Sequence, residues 1–178
     1  MGKHLLITGK PGVGKTTLIQ KIIETFNQSL KISGFWTLEN RDKGRRIGFD
    51  IYTTDGKKGI LARVDTTRSN YRVGKYRVHL NDLEDMAIPT LYAESELIII
   101  DEIGKMEILS PEFRKAVLYA LENQPRVLAT IGYQQILFLK TIKERSDVET
   151  IELTTANRKS VFNTITAKLE LKSLGDVD

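Results

Sequence analysis

Eight residues near the amino terminus, Gly9-Lys10-Pro11-Gly12-Val13-Gly14-Lys15-Thr16, constrain this chain more than any other part of it. They fill every fixed position of the pattern G-x-x-x-x-G-K-[ST]. The apolar run His4 to Thr8 before them reads as a short buried strand, and Leu18, Ile19, Ile22, Ile23 and Phe26 after them fall at helical spacing. A strand, a glycine-rich loop and a helix in that order open an α/β unit. The residue types follow from the chemistry of gripping a polyphosphate. Glycine lets backbone N–H groups approach a crowded anion and converge on it. The free N–H groups and positive end of the following helix, expected over 15–26, point the same way. Lys15 adds a compact positive charge, and Thr16 offers a hydroxyl to a Mg²⁺ ion.

The remainder of the chain supports a doubly wound, mainly parallel sheet with helices on both faces. Ile32 to Leu38, Ile47 to Thr54 and Gly59 to Val64 read as strands, with Asp55-Gly56 as a hairpin turn between the last two. With the alternating run Lys75 to His79 they predict an antiparallel β insertion at about 33–79, grafted between the first helix and the rest of the sheet. A helix is expected over 82–94, capped by Asn81 or Asp82 and broken near Pro89. Leu97-Ile98-Ile99-Ile100 reads as a strand buried on both faces. Ser110-Pro111-Glu112 marks a helix start, with a helix to about Glu122. A strand at 126–131, a helix at 135–144, a strand at 149–153 and a last helix from Asn157, capped by Thr155 or Asn157, complete one domain over 1–178. The tail from Gly175 is expected to fray.

The apolar run at 97–100 ends in Asp101-Glu102. A buried parallel strand delivers these acids to the carboxyl edge of the sheet, where ligands bind. Asp101 is thus placed to hold Mg²⁺ with Thr16, directly or through water. Strict alternation would turn Glu102 to the opposite face, toward the terminal phosphate, where it would orient or deprotonate a water. Lys15 and Glu102 are the expected catalytic pair. Softer candidates are Glu107 as a further acid or a surface cap, Thr130 as a polar group on a flanking strand, and Arg158 as a base or phosphate contact or a surface partner. Arg41, Arg45 and Arg46 are candidates to reach the terminal phosphate.

The 178 residues contain no cysteine, which excludes disulfides and thiolate metal sites, and His4 and His79 cannot form a zinc site alone. The histidine in the first strand, His4, reads as a core residue. The net charge of +4 is local: residues 41–77 hold 11 basic and 4 acidic side chains, a net +7, against −3 elsewhere. Such a segment suits phosphate, of a nucleotide or of nucleic acid, or a solvated hairpin face. No apolar run is long enough to cross a bilayer or form a signal-peptide core, so a cytoplasmic protein without membrane association is expected; its expected state is a monomer.

Further blocks occur in order: Gly34-Phe35-Trp36-Thr37-Leu38-Glu39-Asn40-Arg41, Arg46-Ile47-Gly48-Phe49, Val73-Gly74-Lys75-Tyr76, and Ile100-Asp101-Glu102-Ile103-Gly104-Lys105-Met106-Glu107. With the loop through Thr17, this set resembles the THEP1 nucleoside-triphosphatase family over nearly the whole chain. The resemblance implies a P-loop NTPase fold of the additional-strand, catalytic-glutamate type. It implies slow, Mg²⁺-dependent hydrolysis of ATP, GTP and other nucleoside triphosphates to diphosphate and phosphate, with broad base specificity. It carries phosphate and Mg²⁺ contacts to Lys15 and Thr16, the metal partner role to Asp101 and water activation to Glu102. It also places Ile100, Gly104 and Lys105 in the nucleotide pocket. Two other readings fit the same loop: a small-molecule or nucleotide kinase, with the basic insertion as lid, and a nucleic-acid-associated ATPase switch.

Overall fold

The computed structural model describes residues 2–67 and 69–173. The tail from 175, expected to fray, lies outside them. The chain opens with β1 (His4–Thr8) and α1 (Lys15–Phe26), at the expected bounds. Then follow β2 (Ile32–Asp42), β3 (Arg45–Thr53), β4 (Lys58–Arg63), β5 (Arg72–Val73) and β6 (Tyr76–Val78). A helical stretch comprises α2 (Leu80–Asp82), a π-helical turn (Leu83–Ala87) and α3 (Ile88–Tyr92). After it come β7 (Leu97–Ile103), a 3₁₀ turn (Glu107–Leu109), α4 (Pro111–Asn123), β8 (Val127–Ile131), α5 (Leu137–Lys143), β9 (Val148–Glu152) and α6 (Arg158–Ser173).

The strands form one sheet in the order β5-β6-β4-β3-β2-β7-β8-β1-β9. The run β2-β7-β8-β1-β9 is parallel throughout, and β3 to β6 pair antiparallel. β8 therefore lies between the strand that feeds the glycine-rich loop and the strand that ends in acids, as the additional-strand fold requires. The antiparallel part is not a separate graft. Ile32 to Phe35 of β2 pair in parallel with Leu97 to Ile100, and the same strand then runs on to pair with β3. Gly34 permits this change of partner. Its φ is +136°, and a Cβ there would stand 2.0 Å from the Ile99 carbonyl oxygen. Register shifts at Asn40/Arg41 and Phe49/Asp50 bend the extension, as bulges do.

Alternation along the central strands supplies two cores. Leu6, Ile98, Ile100 and Ala129 face one side, against Leu91, Phe113 and Ile142 from α3, α4 and α5. Leu5, Ile7, Ile99 and Leu128 face the other, against Ile19 and Ile22 of α1 and Ile165 of α6. Burial on both faces explains why β7 reads as an unbroken aliphatic run.

Three local expectations are corrected. The helix expected at 82–94 begins at Leu80, and neither Asn81 nor Asp82 caps it. The Asp82 carboxylate instead accepts from Ile60 N–H at 2.7 Å. The change to π geometry just ahead of Pro89 adapts the ladder to a residue without an N–H. Asn157 precedes α6, but its amide oxygen accepts from Thr154 N–H at 2.8 Å and closes the preceding turn instead of capping the helix. The Ser110 start is as expected, its side chain accepting from Phe113 N–H at 3.0 Å. Among the described residues, no helix is long and apolar enough to cross a membrane.

Candidate active site

A cavity of about 740 Å³ opens where the glycine-rich loop meets the carboxyl ends of β7 and β8. Gly12, Gly14, Lys15, Thr16 and Thr17 line one side of it, and Asp101, Glu102, Glu107 and Lys105 line its floor. The β2–β6 extension closes it opposite the loop. Gly14, with φ +101°, precedes α1 and leaves the helix without a side-chain cap. The first N–H groups of α1 are thus left for an anion. Lys15 Nζ lies 2.9 Å from the Gly9 carbonyl and 3.4 Å from that of Lys10, which hold the ammonium over the loop.

Asp101 is 2% exposed. Its Oδ1 accepts from the Thr130 hydroxyl on β8, while its Oδ2 is buried without a hydrogen-bond partner. Burial raises its pKa, opposed by the Thr130 hydroxyl, the nearby Thr16 hydroxyl and the charge of Lys15. Thr16 and Asp101 are therefore neighbours. A hydroxyl plus a buried carboxylate oxygen with an unused lone pair are hard oxygen donors, and this pair fits Mg²⁺ held chiefly by phosphate and water. Among the described residues, no three His, Asp or Glu side chains converge as a self-sufficient metal site, so phosphate and water must supply the remaining ligands.

Glu102 differs from expectation. It does not turn away from Asp101: both open into the same cavity. The ladder with β8 shifts between Ile100 and Ile103, and Ile98, Ile100 and Ile103 all reach the same core. The strand therefore slips one residue out of alternation where the two acids lie. Burial first, and the charge of Asp101 second, raise the Glu102 pKa, against Lys15 and Lys105. Glu107 is no surface cap. It is 3% exposed, and burial, then the charge of Glu102, push its pKa well above the usual carboxylate value. The two meet over Gly104, where a Cβ would lie 2.6 Å from Glu102 Oε1 and 2.8 Å from Glu107 Oε2.

Comparison with known proteins identifies the family of this chain. A family model described as NTPase matches residues 4–166. The nucleoside-triphosphatase THEP1 of Thermotoga maritima is 47% identical over 169 residues, spanning 93% of this chain and 95% of that protein. The chain belongs to the THEP1 nucleoside-triphosphatase family. The human cancer-related nucleoside-triphosphatase is 38% identical over 178 residues, 91% of this chain and 94% of that one. The crystal structure of THEP1 from Aquifex aeolicus superposes with a TM-score of 0.83 at 40% identity, over 94% of this chain and 99% of that chain. The solution structure of a human cancer-related nucleoside triphosphatase gives 0.80 at 36% identity, over 94% and 97%.

Not every residue singled out in this THEP1-family sequence lines the cavity. Val13 and Ile100 are packed into the two cores. Gly9 gives its carbonyl to Lys15, and a Cβ on it would meet the Leu153 carbonyl oxygen at 2.6 Å. Lys10 is exposed, and Pro11 forms part of the rim. Gly104 makes room for the two glutamates. Arg158 neither lines the cavity nor pairs with a surface acid. Its Nε donates to the Val13 carbonyl at 2.8 Å, and its guanidinium lies against Gly14, bracing the loop from the α6 side. Of the three candidate arginines, Arg41 and Arg46 line the cavity and Arg45 does not.

Sequence reasoning overlooked Thr37, Glu39 and Gln20 as cavity residues, and Tyr133 with Gln134 as well. A signal existed for the last two, which follow β8 at the carboxyl edge of the parallel sheet. None existed for Glu39, whose position depends on how the extension bends.

Proposed function

We propose that the chain is a Mg²⁺-dependent nucleoside-triphosphate phosphohydrolase, splitting ATP, GTP and other triphosphates to diphosphate and phosphate with little base preference. The observation that carries this reading is the meeting of Lys15, Thr16, Asp101 and Glu102 on one cavity, with Asp101 Oδ2 buried and unpartnered. The names of the relatives support the reaction class. In this reading the loop N–H groups hold the phosphate oxygens, and Lys15 neutralises charge between the β and γ positions. Thr16 and Asp101 would hold Mg²⁺, which when bound draws negative charge from the phosphate oxygens. Glu102 accepts a proton from a water whose oxygen bonds to the γ-phosphorus as the bond to the bridging oxygen breaks. A carboxylate with a raised pKa is the better base, and its burial supplies that shift. Burial, then the charge of Glu102, raises the Glu107 pKa as well, which disfavours a second negative charge in the same space. Broad base specificity follows from a grip made on phosphate by backbone. We take the enzyme as a monomer. We also take it to work in the cytoplasm and to need no nucleic acid.

The test is phosphate release from ATP, GTP, CTP and UTP, with and without Mg²⁺. Release is expected only with Mg²⁺ and within about tenfold across the four bases, the scale of one lost polar contact. Glu102→Gln should bind nucleotide normally and turn over at least about tenfold more slowly. Wild-type turnover by that variant would remove Glu102 from its role, and Mg²⁺-independent release would overturn the metal.

A further inference from the structure

The cavity has more wall than a triphosphate uses. Opposite the loop, the β2–β6 extension presents Phe49, Leu61, Val73 and Tyr76, joined by Met106 from the segment after β7. A polyphosphate gains nothing from such side chains, whereas a planar organic ring does. Among them stand two guanidinium groups on a single carboxylate. Glu39 Oε2 accepts from Arg41 Nε at 2.9 Å, and Glu39 Oε1 accepts from Arg46 Nη1 at 2.7 Å. Arg46 Nε donates to the Tyr76 hydroxyl at 2.8 Å, and its guanidinium carbon stands 5.3 Å from the Phe49 ring centre and 5.8 Å from that of Tyr76. Lys75 Nζ lies 5.4 Å from the centre of the same Tyr76 ring. The cluster is thus hydrogen-bonded, aromatic and net positive, the character of a site for an anion that carries a ring.

The phosphate-loop reading places the nucleoside of the triphosphate away from this wall. With Lys15 between the β and γ positions, the acids mark the γ end, and the α-phosphate falls toward Thr17 at the start of α1. In this reading the nucleoside leaves past Gly14, on the side where Arg158 of α6 braces the loop. The extension residues line the same cavity as Glu102 and Glu107, the acids taken here to mark the γ end.

We infer that the inner face of the β2–β6 extension is a second ligand site, which takes a small anionic molecule with a planar ring beside the terminal phosphate of the bound triphosphate. Arg41 and Arg46 hold its anionic group in place of Glu39, and Phe49 and Tyr76 hold its ring. This rests on the phosphate-loop reading above.

The experiment is calorimetric titration of the full chain in two steps. A non-hydrolysable triphosphate analogue with Mg²⁺ is added to saturation first, and adenosine monophosphate is then titrated as the ring-bearing anion, with inorganic phosphate as the ringless control. One further equivalent of the monophosphate should bind with a Kd below about 1 mM, an affinity of a few kcal/mol. The control should bind at least about tenfold more weakly, since stacking on rings is worth of the order of 1–3 kcal/mol. Arg46→Met should weaken the second step by about tenfold or more and leave the first within about threefold, because a charge-assisted contact is lost at one site only. Tyr76→Phe, which removes only the hydroxyl that accepts from Arg46, should weaken the second step to a lesser degree in a protein with its packing intact. No second binding event, or one that displaces the analogue, overturns the inference and leaves the phosphate-loop reading standing. Failure of the analogue to bind overturns that reading and this inference together.

Discussion

The roles of single residues here are set by what lies within three or four ångströms of them. Asp101 is held by Thr130, a β-branched residue that needs no function to explain its place in a strand. The hydroxyl it donates fixes one carboxylate oxygen and leaves the other free. Thr130→Val keeps the shape and removes the donor. The Mg²⁺ concentration for half-maximal phosphate release should then rise by about tenfold or more, the usual effect of losing an outer partner of a metal ligand. An unchanged Mg²⁺ requirement would free Thr130 of any part in metal binding. Gly104 is the second case. A methyl group there would collide with Glu102 Oε1 and Cγ and with Glu107 Oε2, all side-chain atoms and none of them backbone, so the fold should survive and the base should shift. Gly104→Ala is expected to lower kcat by about a hundredfold, the scale of a misplacement near 1 Å, with thermal stability little changed. A drop in stability with normal kcat would show that Gly104 serves packing only. The loop residues and Asp101 could be chosen from the sequence because their chemistry follows from type and spacing. Glu107 could not, since its burial depends on the 3₁₀ turn that folds it back under Glu102.

Elements explain how these residues are aimed. β1 is held at one end by His4, whose ring is fully buried and whose Nδ1 accepts from Val127 N–H on β8 at 3.0 Å. Accepting there requires the neutral ring, and burial, helped by the charge of Lys3, lowers its pKa from 6.5 to about 4. An unfolded chain takes up that proton below about pH 6.5, the folded one only below about 4. Between those values the unfolded state binds more protons, so stability falls as pH falls. This residue should cost about 2 kcal/mol of unfolding free energy between pH 7 and pH 5. Urea unfolding at both pH values measures it. His4→Gln, whose amide can still accept from Val127, should remove most of that slope, and a slope unaffected by the substitution would refute the assignment. β2 carries a second element-scale prediction. Gly34→Ala would drive a methyl into the Ile99 backbone, where nothing can yield cheaply. A loss of about 3 kcal/mol or more is expected in the same measurement. Strand and helix positions were readable here because both faces of β7 are buried and the periodicity is plain. The slip in alternation at Asp101-Glu102 was not, because it arises from the pairing of β7 with β8 and leaves no mark in residue type.

At the scale of the whole molecule, the cavity joins parts of the chain that are far apart in sequence. The loop and α1 form one wall, the end of β7 and the segment after β8 the floor, and the antiparallel extension the other wall. A ligand bound there ties these parts together and should stabilise all of them. Mg²⁺ with a non-hydrolysable triphosphate, at about a hundred times its Kd, should add about 2.7 kcal/mol. In a chain of this size that raises Tm by roughly 5–10 °C. Lys15→Ala or chelation of Mg²⁺ should abolish most of the rise, and calorimetry reads both. A full shift without Lys15 would place the ligand elsewhere.

The sequence by itself determined the loop and its helix, the buried acid-ending strand, the presence of antiparallel strands and the membership of a nucleotide-hydrolysing family. These are matters of residue type at short spacing, where local backbone geometry and charge leave few alternatives. Tertiary structure alone decided that Glu102 shares a face with Asp101, that Glu107 is buried beside it, that Arg158 braces the loop, and that Glu39, Arg41, Arg46 and Tyr76 form the far wall. The physical reason is that strand register and sheet bending arise from pairing between distant segments, and no local pattern records which segment a strand will pair with.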